Sequence, residues 1–245
     1  FWLGLIYQYQ SKMDLSLKFL DKAAEFSATG FKAKILIQKA KTLRQDGKLA
    51  AAEKTLDLFF DNYETKDLRY ASALIQTGLC KYANKKYEEA LEYYWAADEL
   101  AKKFGDKKLE LYNLMGISTA LEEEDKIEQG IEILLEVYSK ADKLGYQNLY
   151  IDAMNGLARK HLLKEDYEQA LYWAQEGLQL WEYANFSRGQ LVMCSHIIKA
   201  LSKKGADSSD IEPYIQQGRE LQQIVDEKLL NEMFAESIKV YNQYH

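Results

Sequence analysis

The chain has 245 residues, one proline, two cysteines and a formal charge of −6. An acid excess that lies C-terminal to residue 100 excludes the basic face that nucleic-acid binding needs. The absence of any apolar run of about 18 residues excludes a membrane-spanning helix. Leu, Ala, Glu and Lys dominate and proline is nearly absent, which reads as an all-α chain. Cys80 and Cys194 stand alone, outside any metal-ligand spacing, and read as reduced core thiols of a cytoplasmic protein.

In chain order, residues 1–10 read as the end of a helix with Gly4 and Tyr7 on its packing face. Residue 1 falls inside an apolar helical pattern, as in a segment of a longer chain, so a signal peptide or another domain could precede it. Asp14 is placed to cap a helix over 14–28, which Gly30 would end. Helices over 31–45 and 49–60 flank a turn at Asp46-Gly47, and the 65–67 region caps a helix that runs to residue 82. Further helices are predicted over 87–104, 107–121, 127–144, 147–163, 167–183 and 190–203, with stops at Gly105, Gly145 and Gly205. A polar loop over 206–210 precedes a helix with Pro213 in its first turn. An amphipathic helix over 229–244 would close the chain, giving about 13 helices and no strand pattern.

The chain is organised around an internal repeat. Residues 164–181, KEDYEQALYWAQEGLQLW, are echoed by KKYEEALEYYWAADEL at 85–100, KLAAAEKTLDL at 48–58 and KIEQGIEILL at 126–135. The small residues of the copies are Ser16, Ala52, Ala90, Gly130 and Ala170, in steps of 36, 38, 40 and 40. Small side chains on one helical stripe let a second helix approach, and a period of this length builds a stacked array. Four of these five follow another small residue by twelve: Gly4 to Ser16, Ala40 to Ala52, Gly78 to Ala90 and Ala158 to Ala170. Gly116 to Gly130 is fourteen, as if the acidic turn over 122–125 held two extra residues. A looser sixth unit keeps Gly205.

This spacing resembles the tetratricopeptide repeat. The resemblance covers residues 1–184 well and the remainder loosely, and the proline that often ends such a repeat is missing. It implies an all-α fold, a right-handed α-solenoid of antiparallel helix pairs in one domain over 1–245. The repeats would fall at 1–29, 30–64, 65–105, 106–145, 146–186 and 187–227, with a capping helix over 228–245. It also implies a non-catalytic groove, lined by the first helix of each pair, that binds an extended peptide. Taking the small residue of each first helix as reference, the groove stripe holds Ile37, Lys41 and Arg44, then Ile75, Leu79 and Tyr82. With Gly116 as reference the fourth set is Asn113, Ile117 and Ala120, whereas Ser118 as the small residue rotates the helix; the fifth is Asn155, Arg159 and Leu162, and the sixth Ser195, Lys199 and Ser202. These positions recur at i, i+4 and i+7 on one face. Asn113 and Asn155 could pair with a peptide backbone, and Arg159 or Lys199 with a carboxylate. Against this stand plainer roles: surface cations are often only solvated, and Asn155 could bond a neighbouring helix.

Phrases such as YEEALEYYWAADELAKKFGD look like the repeat domains of Gram-positive peptide-pheromone receptors, the Rap, PlcR and NprR group. That likeness implies a short imported peptide as partner, a change of conformation or oligomeric state on binding, and a role in quorum sensing and transcription regulation. The competing reading is a scaffold that docks the tail or helix of a larger protein. No cofactor and no metal are implied: His161 and His196 lie outside any metal motif, and the four tryptophans fall at core spacing.

Overall fold

The computed structural model describes residues 1–225 and 228–244, apart from the side chain of Thr29. All regular structure among them is helical, and the chain divides into two compact units, Phe1–Lys126 and Ile127–His245. The first unit holds α1 (Trp2–Tyr9), α2 (Met13–Glu25), α3 (Thr29–Gln45), α4 (Leu49–Asn62), α5 (Leu68–Ala83), α6 (Tyr87–Phe104) and α7 (Lys107–Glu123). The second holds α8 (Ile127–Lys143), α9 (Gln147–Leu163), α10 (Tyr167–Tyr183), α11 (Ser187–Lys204), α12 (Ser208–Gln222) and α13 (Lys228–Tyr244). Within each unit consecutive helices pack on one another, and the first helices of neighbouring pairs lie side by side: α3 against α5, α5 against α7, and α9 against α11.

At most connections a single left-handed residue reverses the chain between one helix and the next. Gly47, Gly105, Gly145 and Gly205 take positive φ, but so do Ser11, Lys85, Asp125, Glu165 and Asn185. In these turns an N–H two or three residues past the helix bonds a carbonyl five residues back, as Lys86 does to Lys81 and Asp166 to His161, both at 2.9 Å. This closure satisfies carbonyls left open at the helix end. The same bond joins Lys126 to Leu121 at 2.9 Å, and residues 124–126 form a turn as short as 84–86 and 164–166. The acidic turn therefore has no extra residues, and the fourth repeat counts its twelve from Ser118, which is buried, to Gly130.

The recurring small residues mark where helices cross. Ser16, Ala40, Ala52, Ala90, Ala158 and Ala170 have no exposed surface. In the first unit the closest crossing is at Gly78, where a Cβ would stand 2.6 Å from the ring of Tyr94. That ring lies between α5 and α7, with Gly116 on its other side.

Four local expectations change. Gly30 lies in the first turn of α3, because α2 already ends at Glu25. Asp14 sits in the first turn of α2 and makes no capping bond; Lys12 occupies the cap position. The polar loop is shorter than 206–210, since α12 starts at Ser208 behind Asp207. Pro213 consequently falls beyond the first turn, where its ring removes one helical hydrogen bond.

α13 departs from the repeat. It lies along α11 and meets α12 at only a few places, one of them the contact of Phe234 with Gly218. Flanked by α9, α10, α12 and α13, α11 is buried over most of its length, including Ser195, His196 and Ser202.

Candidate functional site in the first-helix grooves

In the first unit the groove stripe runs across α3, α5 and α7. Ile37, Lys41 and Arg44 are half-buried on α3. Burial lowers the pKa of Lys41, and the neighbouring Arg44 guanidinium lowers it further. No carboxylate among the described residues pairs with either cation, and Nε of Arg44 is buried without a hydrogen-bond partner. A pocket of about 210 Å³ opens between α5 and α7, and the Arg44 charge acts on Tyr94 in its lining. Ile75, Leu79 and Tyr82 form one wall, Tyr112, Met115 and Thr119 the other, with Tyr94, Asn113 and Gly116 completing it. At the far edge the Tyr82 hydroxyl donates to Glu123 at 3.2 Å, and burial together with the Glu123 charge raises the pKa of Tyr87.

Counting from Ser118 turns α7 relative to the expected register. Asn113, Ile117 and Ala120 have no exposed surface, so they do not form the stripe assigned to them. Nδ2 of Asn113 donates to the Tyr94 carbonyl at 2.7 Å, tying α7 to α6, while its Oδ1 is buried without a partner. Met115 and Thr119 take the groove positions instead. Ile75 reaches the pocket wall but keeps only 2 % of its surface exposed. The wedge of Tyr94 and the wall residues Tyr112, Met115 and Thr119 were missed; the twelve-residue count from Gly130 back to Ser118 is the sequence signal that locates them.

In the second unit Asn155, Arg159 and Leu162 are half-buried on α9, and Lys199 is half-buried on α11. Oδ1 of Asn155 is 2.8 Å from Nε2 of His196, so this amide is held by a neighbouring helix. Burial pushes the imidazole down to about 3, and Lys199 and Arg159 act in the same direction. Burial also lowers Lys199, partly offset by Glu236 on α13. One turn before Asn155, burial raises the carboxyl of Asp152 to about 6. Ser195 and Ser202 are buried on α11 and leave the sixth stripe with Lys199 alone.

Burial pushes the thiol of Cys80 up to about 11 and that of Cys194 up to about 12, which keeps both protonated. Among the described residues no group of three His, Cys, Asp or Glu side chains could hold a metal ion, and no helix is long and apolar enough to cross a membrane.

No protein-family model matches the chain, and no curated protein sequence matches it. Solved structures do. A signal-transduction ATPase with numerous domains from Pyrococcus horikoshii, which carries a tetratricopeptide-repeat sensor, aligns at 18 % identity over 93 % of this chain with a TM-score of 0.75. The chain spans 36 % of that protein. The tetratricopeptide-like repeats of a kinesin light chain from Podospora anserina align at 14 % identity over 80 % of this chain and 97 % of theirs, with a TM-score of 0.60. BtubC from P. vanneervenii aligns at 11 % identity over 87 % of this chain and 89 % of its own, with a TM-score of 0.69. The fold is a tetratricopeptide-like α-solenoid of antiparallel helix pairs.

Proposed function

We propose that this chain is a non-catalytic binding module that holds an extended segment of a peptide or protein against its first-helix faces. One observation carries the reading: in the first unit two half-buried cations without a carboxylate partner lie on α3, and one of them, Arg44, acts on Tyr94, which lines an apolar pocket between α5 and α7. Desolvated charges that find no partner inside the protein are best satisfied by a ligand. The contacts would come from Ile37, Lys41, Arg44, Leu79 and Tyr82 in the first unit, and from Asn155, Arg159, Leu162 and Lys199 in the second. A sensor role in a peptide-responsive regulator accords with the likeness to a repeat sensor, by analogy of fold alone.

The test is comparative capture. The chain and a Leu79→Ser, Tyr82→Ala double variant are immobilised and exposed to the low-mass fraction and to the proteins of a cell lysate. Short peptides held by the parent and lost by the variant support a peptide sensor. Full-length proteins lost in the same way support a scaffold that uses the same groove. Ligands retained equally by both move the site away from this face.

A further inference from the structure

The polarity of the first-unit groove changes in one direction across its three helices. At equivalent positions, seven residues before the left-handed turn residue plus one, the helices present Lys41, Leu79 and Thr119. Three residues on, they present Arg44, Tyr82 and Glu122. Both rows start on a cation at α3 and cross an apolar side chain at α5; the second ends on a carboxylate at α7. The basic end is not neutralised from within, since Lys41 and Arg44 disfavour each other and neither meets an acid among the described residues. The acidic end is reinforced by Glu123, which is exposed and accepts from the Tyr82 hydroxyl but meets no ammonium or guanidinium group among the described residues.

We propose that this groove takes an extended segment in which an acidic, an apolar and a basic side chain follow one another at intervals of about three residues. This rests on the groove reading above and adds the chemistry and order of its occupant. The acid lies over Lys41 and Arg44, the apolar side chain enters the pocket between Leu79 and Met115, and the base lies over Glu123. The interval follows from geometry: packed helix axes are about 8–10 Å apart and an extended chain advances about 3.3 Å per residue, so each helix is crossed in roughly three residues. For a given chain direction the order discriminates, because a segment of opposite charge order then places like charges at both ends.

The experiment selects a phage-displayed library of random dodecapeptides on the whole chain, on a Lys41→Glu, Arg44→Glu variant, and on the Leu79→Ser, Tyr82→Ala variant. Thermal melts confirm that each is folded. On the parent, enriched sequences are expected to share acid, apolar and base at three-residue intervals. On the charge-reversed variant a base is expected to replace the acid at unchanged spacing. Should that variant not fold, Lys41→Gln, Arg44→Gln replaces it; a selected peptide carrying fluorescein should then bind about tenfold more weakly than to the parent at low salt. Enrichment without this order, identical sequences on parent and charge variant, or no enrichment over the bare surface would overturn the proposal. Peptides without the order that still require Leu79 and Tyr82 sink the charge register and leave the groove reading standing. Peptides that ignore all the variants sink both.

Discussion

The Nε2 atom of His196 lies 2.8 Å from Oδ1 of Asn155, joining α11 to α9 across 41 residues of chain. With a carbonyl oxygen as acceptor, the imidazole carries its proton on Nε2 and is neutral. Burial, together with Lys199 and Arg159, depresses its pKa to about 3. A buried histidine held neutral contributes stability that is present above its unfolded value of about 6.5 and is lost as the pH falls toward 3. His196→Gln keeps an amide donor but cannot titrate. It is expected to cost about 1–2 kcal/mol at pH 8 through poorer packing and a less favourable bond. Its penalty relative to the parent should shrink between pH 6.5 and 4. Urea unfolding at a series of pH values measures this, and a constant penalty would mean that His196 is not protonated on unfolding in that range.

Asp152 has the opposite sign. Burial raises its carboxyl to about 6, above its ordinary 3.8, so the folded state disfavours the carboxylate. The stability of the protonated form is present below the ordinary value and is lost as the pH rises through 6. Asp152→Asn is therefore expected to stabilise the protein on the order of 2 kcal/mol at pH 8 and to leave it nearly unchanged at pH 4. The same unfolding series separates the two residues, because one substitution gains relative stability toward low pH and the other toward high pH. An Asp152→Asn variant no more stable than the parent at pH 8 would show that the carboxylate is paired when charged.

The sequence makes the helices legible because packing is repeated: small residues at a spacing of twelve mark the crossing of each pair, and the bounds of α6, α9 and α10 follow directly. The groove is less legible, for two reasons. A glycine attracts the register even when it serves another purpose, and Gly116 accommodates the Tyr94 ring while Ser118 holds the repeat position. Turns closed by left-handed Lys85, Asp125 and Glu165 carry no glycine signal, so the length of the acidic turn cannot be read from composition. The burial of Ser195 and Ser202 depends on α13 lying along α11, and an amphipathic stripe does not reveal which neighbour it will choose.

The two glycines beside Tyr94 should differ in what they tolerate. A Cβ on Gly78 would stand 2.6 and 2.7 Å from ring carbons, whereas one on Gly116 would stand at 3.1 Å. Alanine favours a helix over glycine by about 1 kcal/mol, so each substitution sets that gain against a clash. At Gly78 the ring is buried and has nowhere to retreat, and overpacking of about 1–3 kcal/mol should win. At Gly116 a displacement of a few tenths of an ångström suffices. Gly78→Ala is expected to lower the melting temperature clearly, and Gly116→Ala to change it little. Equal effects would mean that the ring moves as easily toward α7 as toward α5.

Asp67 gathers the charge network at the start of α5. Its Oδ1 accepts from the backbone N–H of Arg69 at 2.9 Å and of Tyr70 at 3.2 Å, capping the helix. Its Oδ2 accepts from the Tyr63 hydroxyl at 2.7 Å and from the Arg69 guanidinium at 2.7 and 2.9 Å. Burial alone would raise this carboxyl, but the Arg69 guanidinium, the Tyr63 hydroxyl and the two backbone donors together hold it down at about 2. A depressed carboxyl contributes stability that is present above its unfolded value near 3.8 and is lost as the pH falls through 2. Asp67→Asn keeps one acceptor for the cap and loses the charge, so it should cost about 1–2 kcal/mol at pH 7. The difference should narrow steadily below pH 4, where the parent carboxyl begins to protonate in the unfolded chain. Asp67→Ala removes the cap as well and should retain part of its penalty at pH 2.5. If the asparagine and alanine variants lose the same stability at every pH, the cap contributes nothing beyond the charge.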